Sequence, residues 1–449
     1  MSFPRYPEYK GSGVEWLGEV PGHWEQLPLK YASTHNDDVL DENTQPDAEI
    51  AYVDISSVDG VNGIKSMEMM LFSAAPSRAR RRVQNGDVIV STVRTYLKAI
   101  AKIREPEENV IVSTGFAVIR PRGDLVPDFL GYVVSAGYFV EQVIARSTGV
   151  SYPAINASEL VRIPVALPPL PEQTAIAAFL DRETAKIDAL VAEQRRLIEL
   201  LKEKRQAVIS HAVTKGLDPD APMKDSGIEW LGEVPAHWRV GKCGFYLTVL
   251  SGFAFPSAGF THDSGDTKLL RGINVGVSRI RWDETVYWKR SGSDGLDCYE
   301  LKSGDLVIGM DRPLIGEGVR VAMISEDDLP CLLLQRVASL APSGLLNSNY
   351  LLQLLSSDMF EAHFMPETTG VSVPHISPTQ ICNFVIPIPP RGEQDAIIEF
   401  VGRETAKLDT LTAEAQRAID LLQERRSALI SAAVTGQIDV RHIASDPAA

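Results

Sequence analysis

EQTAIAAFLDRETAKIDALVAEQRRLIELLKEKRQAVISHAVT, residues 172–214, returns as EQDAIIEFVGRETAKLDTLTAEAQRAIDLLQERRSALISAAVT, residues 393–435. The offset is a constant 221 residues without a gap, and 26 of 43 positions are identical. An internal repeat of this quality sets the architecture before any single residue is weighed. Both copies carry a 4/3 apolar spacing, the seam of a coiled coil. The seam runs through Ile176, Leu180, Ile187, Leu190, Leu197, Leu201 and Val208 in one copy. In the other it runs through Ile397, Val401, Leu408, Leu411, Ala415, Ala418, Leu422 and Leu429. Glu183, Gln194, Lys204, Glu404 and Arg425 interrupt it, and such polar seam residues fix register at a cost in stability. A helix of this length is a rod of roughly 65 Å at ~1.5 Å per residue. It cannot bury its seam alone, so the two copies are expected to pack on each other, antiparallel because a globular segment joins them. The large seam residues Ile176, Leu180, Ile187, Leu190, Leu197, Leu201, Ile397, Val401, Leu408, Leu411, Leu422 and Leu429 are also the candidate subunit-interface positions.

A second repeat opens each half. GSGVEWLGEVPGHW (11–24) returns as DSGIEWLGEVPAHW (225–238), identical at 11 of 14 positions, with Trp16, Trp24, Trp230 and Trp238 as expected anchors. Between anchor and helix lie two globular segments that diverge strongly yet keep a skeleton. NGDVIVSTVR (85–94) matches SGDLVIGMDR (303–312), each a Gly-Asp turn feeding a buried strand that ends in arginine. FAVIRP (116–121) matches VASLAP (337–342) as a second strand, and FLGYVVSAGYFVEQVI (129–144) matches YLLQLLSSDMFEAHFM (350–365) as an amphipathic helix. TGVSYPAI (148–155) matches TGVSVPHI (369–376), and LPPLPEQ and IPPRGEQ lead into the long helices. The expected boundaries are 1–166, 167–216, 217–386 and 387–440, with a frayed tail at 441–449. The expected fold is α+β: two pseudo-repeated mixed α/β domains separated by two long helices packed as an antiparallel coiled coil. A constant scaffold holding two different heads suggests one chain that recognises two different things.

Composition narrows the class. The chain has 449 residues, 44% of them hydrophobic, and a formal net charge of -15. That charge argues against a generic polyanion binder, so any nucleic-acid contact has to be local or completed by a partner. Cys243, Cys298, Cys331 and Cys382 are scattered through the second half without a CxxC pair, which favours reduced thiols over disulfides or zinc. No apolar run approaches a membrane span, MSFPRYPEYK lacks a signal peptide's apolar core, and a cytoplasmic protein is the default expectation.

EWLGEVPxHW, the GD-strand, TGVS, PPLPEQ and RETAKID, with their second copies, resemble the specificity subunit of a type I restriction–modification system. The resemblance covers nearly the whole chain. It implies two target-recognition domains, each reading half of a bipartite sequence in double-stranded DNA, with the helices setting the unread gap. It further implies a non-catalytic subunit that assembles with two modification subunits, which bind S-adenosylmethionine and methylate adenine at N6. Two restriction subunits using ATP and Mg can join, and this chain itself binds no cofactor and no metal. The residues agree: no amino-methylation motif is present, since Leu167 and Ile388 precede the Pro-Pro pairs, and there is no Walker lysine loop, no GxGxxG and no HExxH. The other reading is a coiled-coil scaffold that joins two protein partners without touching DNA.

Candidate DNA contacts follow from charge and geometry. In the first globule they are Arg78, Arg80, Arg81, Arg82, Arg94, Tyr96 and Lys98, where positive residues far outnumber acids along the chain. Arginine's planar fork fits phosphate oxygens and the O6/N7 edge of guanine. In the second globule they are Arg271, Asn274, Arg279, Arg281 and Arg312, with Asn274 suited either to bidentate readout of adenine or to a turn. Thr148 and Ser151, with Thr369 and Ser372, flank a glycine and a valine in loops able to approach a phosphate closely.

Overall fold

The computed structural model describes residues 3–41, 43–60, 63–292, 294–316, 318–364 and 374–441. The two repeated helices form as expected, over Leu170–Lys215 (46 residues, the central helix) and Arg391–Val434 (44 residues, the C-terminal helix). The chain divides into two compact units, Met1–Arg195 with Gln416–Ala449, and Arg196–Ala415. Each unit thus owns one globule and part of each long helix, and the unit boundaries fall inside the helices rather than at the sequence boundaries 166, 216 and 386.

In the first unit, strands Ile100–Lys102, Val88–Ser91, Phe116–Pro121 and Ser33–His35 make an antiparallel four-stranded sheet in that order. A second sheet takes Glu68–Leu71, Glu49–Val53, Val110–Ser113 and Ala79–Arg82, with Glu49–Val53 and Val110–Ser113 parallel. Ala51, Val53, Ile89, Val112, Phe116 and Val118 form the core cluster to which both sheets contribute. The second unit repeats the order. Leu247–Ser251, Val337–Pro342, Leu306–Gly309 and Val321–Met323 form one sheet, and Tyr287–Trp288, Thr267–Leu270 and Cys331–Leu333 the other, again with one parallel pair. Short apolar runs buried on successive residues thus gave the four-stranded sheet twice from diverged sequences, while among the described residues the other sheet has one strand fewer in the second unit.

The repeated Glu-Gln dipeptide explains how globule, anchor and helix meet. In the first unit the Glu172 carboxylate, in the opening turn of the central helix, accepts from Trp24 Nε1 (3.0 Å) and Tyr6 OH (3.1 Å) and pairs with His23 Nε2 (2.7 Å). Burial first, and the Glu172 charge second, push the Tyr6 phenol far above its ordinary range. The fully buried Gln173 donates to Asp124 O and Pro168 O and accepts from Val126 N, clamping the loop after strand Phe116–Pro121 to the helix. In the second unit Glu393 meets Trp238 Nε1 (2.8 Å) and His237 Nε2 (2.7 Å), while Gln394 bonds Leu345 O, Pro389 O and Asn347 N. A carboxylate is at home there because the helix N-terminus carries unpaired N–H groups and the positive end of the macrodipole. Strand pairs Glu25–Pro28 with Pro164–Leu167, and Arg239–Lys242 with Val385–Ile388, close each globule's entry on its exit.

The same tryptophans receive the far ends of the helices. Gly216 follows the central helix at φ +77°, and a Cβ there would stand 3.2 Å from the Trp238 ring. Gly436 follows the C-terminal helix at φ +75°, where a Cβ would stand 2.3 Å from Pro21 and 3.2 Å from Trp24. Glycine is needed twice over, for a left-handed helix end and for close approach to an indole. In the second unit, Gly216 and Trp238 are near neighbours in the chain. In the first, Gly436 reaches Trp24 from the other end of the sequence, with Tyr9 OH donating to Gly436 O and Asp439 N to Pro4 O.

Within each unit the helices run antiparallel. In the first, Arg426 grips Asp188 (2.9 and 3.3 Å) while the start of the central helix lies at the end of the C-terminal one. In the second, Arg205 pairs with Asp409 (3.3 Å), and Gly216 and Leu217 share a pocket with Ala396 and Ile397. The seam needs correction. Ile176, Leu180, Ile187, Leu201, Ile397, Val401, Leu408 and Leu429 are buried inside the chain, so they are unavailable as subunit-interface residues. Leu422 is half-buried, and Leu190, Leu197 and Leu411 are exposed, at 51%, 41% and 47%. Val191 and Ile419 are buried in their stead, while Ala415 is buried as the seam requires. Apolar side chains occur at adjacent positions here, and an ideal 3.6-residue helix drifts off a strict heptad.

Two expectations follow. Glu172→Ala strands the buried Trp24 Nε1 and should lower the unfolding free energy of its unit by about 2 kcal/mol, since hydrogen bonds to charged groups contribute on that order. Glu393→Ala should cost less, because that side chain is 42% exposed against 13% for Glu172. Urea titration followed by tryptophan fluorescence checks both. Burial pushes the Cys243 and Cys331 thiols up to about 12. At pH 8 they are therefore protonated as well as enclosed. Iodoacetamide should label the exposed Cys298 first, and Cys243 and Cys331 only in denaturant, as read by peptide mass spectrometry.

Candidate nucleic-acid interface

The basic run of the first globule is mostly paired, by acids distant in sequence. Arg78 donates to Tyr52 OH and Asp54 (3.0 and 3.2 Å), Arg82 lies 3.9 Å from Asp38, and Arg104 donates to Asp128 (2.8 Å). Lys102 sits 3.7 Å over the Tyr132 ring, within 4 Å of Asp128 and Asp181, and burial draws its ammonium below the ordinary value. Asp87 is itself enclosed by the two-pronged grip of Arg120 (2.8 Å twice). Arg80 stacks over Phe72, and Arg81 is half-buried with its Nε unbonded.

Beyond this paired run, Arg94, Tyr96 and Lys98 are exposed around a short 3-10 turn, Thr95–Leu97. Arg94 and Lys98 both have φ of +52°, the left-handed region. Non-glycine residues are uncommon there, and such strain concentrates at functional sites. Thr148 and Ala154 pair across a tight loop in which Gly149 (φ +110°) approaches Tyr152 O. Thr148 and Ser151 are exposed at this loop, whose tip projects Val150, fully exposed, and Tyr152, 61% exposed. The Arg94 guanidinium stacks 4.7 Å over Tyr152. An exposed arginine, two exposed tyrosines, a lysine and hydroxyls on one edge form a surface suited to phosphate and base contact. Tyr152 was missed in the sequence, although it directly follows TGVS.

The second globule holds the equivalent edge with the same backbone frame. Arg94 N donates to Pro153 O (2.8 Å) and Arg312 N to Pro374 O (2.7 Å). Thr92 N donates to Gly115 O and Met310 N to Arg336 O; Ile155 N donates to Thr92 O and Ile376 N to Met310 O. Arg312 is exposed and left-handed (φ +45°), like Arg94. Three matched bonds and one matched strained arginine are what the two diverged heads share. Asp311, His375 and Arg336 converge on this frame and were not singled out in the sequence. Thr369 and Ser372 lie outside the described residues.

The other candidates of the second globule are largely internal. Asn274 is 1% exposed, its Oδ1 taking Arg271 N (3.0 Å) and its Nδ2 donating to Arg281 O (2.9 Å). Its amide is consumed in shaping a turn, the second of the two roles open to it in the sequence, and is unavailable for adenine readout. Arg271 donates to Glu284 O (2.5 Å) and Arg281 is half-buried beside this turn. Arg279 lines a cleft of about 830 Å³ with Lys202, Arg205 and Asp409. Trp282 Nε1 donates to Asp328, and Trp288 packs on Phe255, so these aromatics belong to the core. Among the described residues no cluster of three or more His, Cys, Asp or Glu could hold a metal, and no helix is long and apolar enough to cross a membrane.

With this geometry in place, the comparisons with known proteins are specific. The family described as the type I restriction modification DNA specificity domain matches residues 75–200 and 263–419. The chain is 26% identical over 300 residues to the type I restriction enzyme MjaVIII specificity subunit of Methanocaldococcus jannaschii, covering 67% of this chain and 68% of that one. It is 32% identical over 202 residues to the EcoAI specificity subunit of Escherichia coli, covering 45% of this chain and 34% of that one. A chain solved in a structural study of complex assembly and conformational transition of the type I R-M system shares the fold, with a TM-score of 0.68. That match is 24% identical and covers 93% of this chain and 99% of the other. The matched family segments take in Arg94, Arg312 and the larger part of each long helix, and the chain belongs to the type I restriction modification DNA specificity domain family.

Proposed function

We propose that this chain, a non-catalytic specificity subunit, reads a bipartite target in double-stranded DNA, one half with each globule. The single observation that carries the reading is the matched frame: two heads with diverged sequences hold an exposed arginine in the same strained conformation, on the same three backbone bonds. A structure retained in both heads cannot be what distinguishes their targets. Arg94 and Arg312 therefore suit contacts common to any sequence, namely phosphates, while the neighbouring diverged side chains carry sequence information. In this reading the chain directs two modification subunits, which hold S-adenosylmethionine and methylate adenine at N6. Two restriction subunits using ATP and Mg join the complex, which works in the cytoplasm. The acidity of the chain, with its net charge of -15, is compatible with DNA binding when partners supply much of the phosphate contact. Leu190, Leu197 and Leu411 are the seam residues open to those partners.

Single-molecule sequencing of methylated adenine, in cells expressing the chain with its modification subunit, tests the proposal. A bipartite motif with a fixed unread gap is expected, and exchange of residues 27–166 should alter one half alone. A single continuous motif, or methylation indifferent to deletion of the chain, would favour the protein scaffold instead. Arg94→Ala should weaken DNA binding by the complex alike for all sequences and make it less salt-dependent, by roughly one unit of the log–log slope. Asn274→Ala should leave the motif unchanged and lower stability by about 1–3 kcal/mol, the range for an unsatisfied buried donor or acceptor.

A further inference from the structure

The shared frame carries different side chains at three matched places. Where the first globule has Val93, Ala154 and Gly115, the second has Asp311, His375 and Arg336. Val93 bridges Ala154, and Asp311 bridges His375, as equivalent isolated β-bridges. The three polar residues meet: His375 Nδ1 lies 2.6 Å from Asp311 Oδ1, and Arg336 Nη1 lies 3.5 Å from the same oxygen. Arg320, half-buried, donates to Asp311 O and Val275 O and fixes the backbone beneath the cluster.

This cluster is not needed to hold the frame. The first globule makes the same backbone bonds with valine, alanine and glycine at those positions. Arg336 also stands at φ +73°, left-handed like Arg312 and uncommon for a residue with a side chain, whereas Gly115 at the matched place of the first globule is not left-handed. An arginine kept in a strained conformation, 58% exposed and only loosely held by Asp311, is present for its guanidinium. It shares its edge with Arg312, the partner of Arg94.

We propose that Arg336 and His375 are the base-reading groups of the second globule, with Asp311 as the residue that positions both. This rests on the DNA-reading proposal above. The chemistry points to a guanine in the corresponding half-target. The Arg336 fork matches O6 and N7 in the major groove, and the imidazole, oriented through Nδ1 by the carboxylate, offers Nε2 to a neighbouring base edge. The first globule, with apolar groups at the same places, reads its half by other side chains and by apolar contact.

The test uses the full chain co-expressed with its modification subunit, with methylated adenines mapped by single-molecule sequencing. Arg336→Gly, Arg336→Lys, His375→Ala and Asp311→Val are compared with the unaltered chain. Arg336→Gly removes the side chain at a left-handed position that glycine adopts without strain, and Arg336→Lys keeps the charge while removing the fork. The expected result is relaxed selectivity at one or two base pairs, in the half that changes when residues 240–386 are exchanged. Discrimination there should fall about 10- to 100-fold, as for loss of a bidentate base contact, with the other half and the gap unchanged. Retention of the same motif in all variants, whether fully methylated or uniformly less methylated, would overturn the inference, because a folding or phosphate defect weakens every position alike. If the unaltered chain yields no bipartite motif, the DNA-reading proposal itself fails first.

Discussion

The structure depends on a carboxylate at the start of each long helix. Glu172 and Glu393 each receive an indole N–H and an imidazole from an anchor whose sequence is almost the same in both halves. The next residue, Gln173 or Gln394, ties the helix to its globule through three backbone groups. Two adjacent side chains therefore fix anchor, globule and helix at one point, and the opposite helix ends on the same indole through Gly436 or Gly216. The identity concentrated in these short motifs is the identity needed to keep that junction. The globules beyond it were free to diverge so long as their strand order survived.

That division separates what can vary from what cannot. Each head holds its exposed edge on backbone bonds, which substitutions other than proline leave in place. Asp311 and His375 can thus replace Val93 and Ala154 without changing the path of the chain. Side chains are exchanged at the surface of a frame whose stability lies elsewhere, in the sheets and in the Glu-Gln junction.

Much of this was legible in the sequence. The long helices and the matched strands lie where the repeats placed them. The single amphipathic helix expected over 129–144 and over 350–365 is instead broken in each half, into Pro127–Ser135 and Gly137–Ala145 and into Ser348–Leu355 and Asp358–Phe364. The seam was read less well where Leu190 and Val191 are both apolar, and spacing alone cannot say which faces inward. Charge was read least well. Arg78, Arg82 and Arg104 look unpaired along the chain, but Asp54, Asp38 and Asp128 reach them only after folding. Asn274 looked like a base reader because its amide is chemically suitable, and its burial is a tertiary fact. The left-handed arginines left no local signal beyond their matched position.

The two junctions differ in one respect with a temporal consequence. The second unit is a continuous stretch, so its helix end, anchor and globule leave the ribosome together. The first unit needs the last turns of the C-terminal helix, more than 400 residues after the anchor they cover, as in the Arg5–Gln437 contact. Long loop closure adds only a logarithmic entropy cost once the chain is complete. During synthesis, however, the first unit has no means of closing. Its anchor face is covered only once the C-terminal helix has been made, so Trp24 waits for a residue more than 400 positions after it.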